Sequence, residues 1–146
     1  MRRLIAVVAV VIGLLVAVAG CGDPDQQMRS EGARAARDAA SEVRTARLAA
    51  QSLLDHKLWA QPATVLVSDA EDALGKVATT FGAQQPETEE SRKIYDQTTE
   101  ALANAENSVT DLRIALRSDD PAAVRNQVGK LDKTGEQLVQ LGERAK

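Results

Sequence analysis

The chain has 146 residues, room for one domain, with 18 basic and 21 acidic side chains and a formal net charge of −3. An acidic chain whose only aromatics are Trp59, Phe81 and Tyr95 lacks the basic patch and stacking platform that nucleic-acid binding needs, so no nucleic-acid partner is expected. A lone cysteine excludes an internal disulfide, and the lone histidine, His56, has no companion at metal-ligand spacing, so neither metal nor cofactor is expected.

The N-terminus divides into three parts. Arg2 and Arg3 supply positive charge, Leu4 to Ala19 is an apolar run of 16 residues, and Gly20-Cys21 closes it. This is secretory signal anatomy. A helix of that length spans about 24 Å, short of the roughly 30 Å hydrocarbon core, so a spanning helix is the weaker reading. The Val18-Ala19-Gly20-Cys21 sequence resembles the lipobox of bacterial lipoproteins: an aliphatic residue, two small residues, then cysteine. The resemblance covers only the first 21 residues. It implies diacylglycerol attachment to the Cys21 thiol, cleavage before Cys21, and a chain held on the extracytoplasmic face of the cell membrane. The organisation expected is a cleaved signal peptide over 1–20, a lipidated tether over 21–30 and a helical domain over 31–146. An uncleaved anchor helix with an incidental cysteine is the plainer alternative.

Beyond residue 20 alanine dominates, with 21 residues, while Leu, Val, Ile, Met, Phe, Trp and Tyr together number 26 of 126. Such a composition suits slender, closely packed helices better than a thick core. Without Arg2 and Arg3 the net charge is about −5.

Asp23-Pro24 predicts a helix start, with Asp as N-cap and Pro at the first position. That helix is expected to run to about Leu58, with Ala39, Val43, Ala46, Ala50 and Leu53 on one face. Its first third has few large apolar residues and contains Gly32, which predicts a fraying tether. Trp59-Ala60-Gln61-Pro62 reads as a break. Residues 62–67 are ambiguous. Ala63, Val67, Ala70, Leu74, Val77 and Phe81 keep helical spacing, yet 64–67 is β-branched and Ser68 to Glu71 reads as a capping box that starts a helix later. A helix from about Pro62 to Phe81 is the favoured reading, ended by Gly82.

The third helix is expected to begin near Gln84-Gln85-Pro86-Glu87, with Glu87, Glu89 and Glu90 at its positive end. Tyr95, Thr98, Leu102, Ala105, Val109, Leu112 and Leu116 form its seam, and Ile114 falls off that seam. Ser118 to Pro121 reads as stop and restart, with Asp120 as cap. The last helix carries Val124, Val128, Leu131, Leu138 and Leu141, with Gly135 and Gly142 on or beside the stripe. The fold class expected is all-α: an antiparallel up-down bundle of about four helices, with three helices plus a tether as alternative. The long first helix should project toward the membrane.

No catalytic constellation emerges. His56 sits between Asp55 and Lys57 and reads as a solvated surface residue. The acidic groups Asp69-Glu71-Asp72 and Glu87-Glu89-Glu90 lack an EF-hand pattern. Arg34, Arg37, Arg44 and Arg47 could face lipid headgroups, but interleaved Glu31, Asp38 and Glu42 make pairing within the helix the better reading. Trp59 and Tyr95 are possible partner contacts, since aromatics are enriched at interfaces, although such residues more often plug the end of a core. The expected function is a membrane-anchored, non-enzymatic interaction module with a protein partner. A sensor bundle holding a small ligand between its helices is the alternative.

Overall fold

A computed structural model of the chain describes residues 22–144, so Val18, Ala19, Gly20 and Cys21 lie outside the described residues. Four helices make up nearly all of that span: α1 Pro24–Leu54, α2 Ala60–Gly82, α3 Glu89–Arg117 and α4 Pro121–Arg144. The polar side chains at their ends explain most of the boundaries. Asp23 accepts a hydrogen bond from the Asp25 amide at 3.1 Å, and Pro24 occupies the first turn of α1, as the sequence predicts. Asp120 likewise accepts from the amides of Ala122 at 2.8 Å and Ala123 at 3.2 Å, starting α4 at Pro121.

Two boundaries differ from expectation in position, and a third is closed in a different way. Helix α1 stops at Leu54, because His56 adopts a left-handed backbone (φ 57°). Its amide and that of Lys57 turn back to the carbonyls of Leu53 (3.0 Å) and Ser52 (2.8 Å), the double bond of a Schellman cap. Helix α3 starts at Glu89 rather than near Pro86. Thr88 is its N-cap, and the Thr88 and Ser91 hydroxyls each accept from the other's backbone amide at 2.9 Å. Gly82 closes α2 without any left-handed turn, since Ala83 follows in a right-handed conformation.

Residues 62–67 are helical. Pro62 is the third residue of α2, where no intrahelical amide bond is required of it. Burial of Ala63 and Val67 on the row continued by Ala70 and Leu74 overrides the β-branched preference of the segment. The cap anticipated at Ser68 is therefore absent, and Glu71 turns toward α3 instead.

The helices alternate in direction. Asp25 and Arg29 at the start of α1 meet Thr88 and Glu90 at the start of α3, while Gly142 at the end of α4 lies against Ala33 of α1. The result is an antiparallel up-down four-helix bundle. Helix α1 packs on all three others, whereas α2 and α4 nowhere bring their Cα atoms within 8 Å, so α1 and α3 form the short diagonal. Small side chains make this possible. Eight alanines of α1 are buried, and they face the larger Leu74, Leu102, Leu112, Leu131 and Leu138 of the other helices.

Two corrections concern the first third of α1. The helix continues without a break across residue 30, and Met28 belongs to the core, so from Pro24 onward the anticipated tether is part of the bundle. Nor does α1 project alone: its first turn is level with the first turn of α3, and both run beyond the described ends of α2 and α4, where Phe81 and Gly142 lie level with Gly32 and Ala33. Gly32 supports packing rather than fraying: a Cβ there would lie 3.0 Å from Thr98 Oγ1 and 3.6 Å from Ile94 Cγ2. Gly142 acts similarly: a Cβ there would lie 3.1 Å from Arg37 Cγ and 3.4 Å from the Ala33 carbonyl oxygen.

Gly32→Ala is therefore expected to destabilise the protein despite the better helix propensity of alanine, because Thr98 is buried and β-branched and has little room to yield. Gly129→Ala, where nothing lies within 4 Å, should instead stabilise by about 0.5–1 kcal/mol. Urea denaturation of the two variants checks the opposite signs.

Candidate functional site

The bundle has two unlike ends. The proximal end gathers the start of α1, the α2–α3 connection and the end of α4. The distal end gathers the α1–α2 and α3–α4 connections. Tyr95 belongs to the proximal end and Trp59 to the distal end, so the structure does not bring them together; the whole of α2, about 35 Å long, lies between them.

The two aromatics also differ in what they touch. Tyr95 stacks on Phe81 with ring centroids 5.5 Å apart, and its hydroxyl donates to the Gly82 carbonyl at 3.0 Å. Its polar group is satisfied and its face is covered, so Tyr95 plugs the core. Trp59 is 85% exposed beside the first turn of α2.

Next to Trp59, the distal end holds a cleft of about 340 Å³. Leu53, Leu54, Leu116 and Val124 form its apolar lining, with His56 and Asp119 among the residues at its edge. Sequence reasoning did not find this cleft, because its lining comes from four different helix ends. Asp119 shares the left-handed conformation of His56 (φ 52°). Each follows directly on a helix C-cap, so these strained positions are explained by chain reversal and imply no chemistry. Beside His56, hydrogen bonds from Gln51 and Lys57 hold the Asp55 carboxyl below the usual carboxylate range. His56→Gly is expected to stabilise by about 0.5–1 kcal/mol, since glycine adopts this backbone without the Cβ clash and loses only part of that gain to unfolded-chain freedom. A thermal melt of the variant measures it.

The arginine row of α1 splits. Arg34 lies 3.9 Å from Asp38 within the helix. Arg47 reaches across to Asp132 of α4, its Nε touching the carboxylate off the line of a hydrogen bond, which makes this a charge contact. Arg44 and Glu136 line the same α1–α4 groove. Pairing within the helix thus accounts for one arginine, while an acid of α4 meets another.

The acidic group on α2 splits as well. Asp69 and Asp72 are exposed. Glu71 accepts from Thr110 Oγ1 at 2.6 Å and from Arg113 Nε, joining α2 to α3. Burial works against this carboxylate, but hydrogen bonds from Arg113 and Thr110 and the nearby positive charges outweigh it and hold its pKa below the ordinary value. A depressed pKa makes the contribution complete above the ordinary value of 4.5 and lost as the pH falls through the lower folded value. Glu71→Gln should therefore melt a few degrees below the native protein at pH 7, and the gap should close as the pH is taken below about 4.5. Melting curves across that window check this.

Among the described residues, no three His, Cys, Asp or Glu side chains converge as a metal site. Nor is any described helix long and apolar enough to cross a membrane. The chain matches no protein-family model, no curated protein and no solved structure.

Proposed function

We propose that the protein is a lipoprotein tethered through Cys21 to the extracytoplasmic face of the cell membrane, and that its bundle acts without catalysis through contacts with another protein. The observation that carries this reading is the lipobox-like Val18-Ala19-Gly20-Cys21 sequence at the end of a signal-type N-terminus. Three further features support it. The helical domain begins at Pro24, close behind Cys21, so anchoring needs no separate linker domain. The described clefts are open grooves between helix surfaces, which suit contact with another surface better than enclosure of a metabolite. Large apolar side chains are presented to solvent at Leu48, Trp59, Val65, Leu66 and Ile114, as protein interfaces commonly require.

Metabolic labelling with a radioactive fatty acid tests the anchor. The wild-type chain should incorporate label and fractionate with membranes, whereas Cys21→Ser should do neither. Equal labelling of the two chains would remove the lipoprotein reading.

A further inference from the structure

Among the described residues, all five exposed large apolar side chains lie in the distal half of the bundle. Leu48 is near the end of α1, Val65 and Leu66 near the start of α2, Ile114 near the end of α3, and Trp59 at the turn itself. The proximal end presents none of this kind. Its exposed surface is polar, with Gln26, Gln27 and Gln85 among carboxylates such as Asp23, Glu87 and Glu89. Exposed apolar bulk is thus sorted along the long axis of the molecule, while charged side chains are exposed at both ends.

The proximal end is also the end joined to Cys21. Three residue steps lead from Cys21 to Pro24, a reach of at most about 11 Å. The start of α1 is no hinge. Asp25 is bonded to Thr88, Arg29 lies 3.4 Å from Glu90, and Met28 is buried. The position of the bundle therefore follows the position of Cys21 within that short reach.

From this sorting we infer that the protein stands upright on the bilayer, its polar proximal end at the headgroups and its distal end held away from them. The inference rests on the lipid anchor proposed above. Helix α1 alone is about 46 Å long, so Trp59 is held roughly that far above the proximal end. The sides of the bundle give little reason to lie down. The exposed apolar residues are spread over three helices and a turn rather than along one face: Leu48 borders the α1–α4 groove, whereas Ile114 projects from α3 about 140° from the buried Val109. The arginines that would favour anionic headgroups are met in part by Asp38 and Asp132. What the upright pose presents to the surroundings is the distal cleft and Trp59.

Trp59 is the only tryptophan, which makes it a built-in reporter. Tryptophan favours membrane interfaces, so a bundle lying flat would place Trp59 among the lipids. The lipidated full-length protein is reconstituted in phosphatidylethanolamine–phosphatidylglycerol vesicles with brominated acyl chains, and flotation is recorded together with tryptophan emission. The expected result is flotation, with Trp59 emission unshifted by vesicles and unquenched by bromine. The double variant Trp59→Phe with Gln85→Trp moves the reporter to the proximal end, where quenching is expected. Quenching at position 59, or its absence at position 85, in protein that floats overturns the upright pose and leaves the anchor standing. Failure of the wild-type protein to float overturns the anchor and the pose with it.

Discussion

The close approach of α1 to three neighbours at once is the constraint on which the bundle depends. A helix that touches three others cannot carry large side chains on all its contact surfaces, because the axes would be forced apart. Alanine meets the requirement along most of α1, and glycine meets it at residue 32, where Thr98 approaches most closely. The bulk that excludes water comes from elsewhere, from leucines of α2, α3 and α4 together with Phe81. The division of labour accounts for a chain with few large apolar residues and yet a continuous core.

An interface lined by alanine is smooth and by itself tolerates sliding. Register is fixed by polar links between helices. Glu71 joins α2 to Thr110 and Arg113 of α3, Arg47 meets Asp132 of α4, and Asp25 meets Thr88. A slide of one helical turn would separate each pair by about 5.4 Å. These contacts are partly exposed and individually weak. Their part is to distinguish the native register from neighbouring ones that would bury nearly the same apolar surface.

The periodic rows were readable from sequence because a packed seam leaves 4-3 spacing whatever surrounds it. The row Thr98, Leu102, Ala105, Val109 and Leu112 is buried throughout, and Ile114, which breaks the spacing, is 56% exposed. The first third of α1 was misread for the opposite reason. Its core-facing residues are mostly Gly and Ala, and small residues look like weakness until a partner is known to need the space. Helix ends were legible where a short polar side chain caps the first turn, as at Asp23 and Asp120. They were not legible at His56, whose left-handed backbone is imposed by the cap geometry rather than announced by a glycine. Trp59 and Tyr95 looked equivalent in the sequence. Only the position of Phe81 and the Gly82 carbonyl separates a covered aromatic from an open one. The lipid motif is legible purely as a motif, since it lies outside the described residues.

The central place of α1 has a mechanical consequence. Anything attached ahead of Pro24 pulls on one of the two helices, α1 and α3, that pack against every other helix. A load along its axis acts on three interfaces together, in shear, so their resistances add. Had the chain entered through α2 or α4, which fail to touch one another, the same load would have met only two. The helix with the smallest side chains is therefore also well placed to transmit force into the rest of the fold.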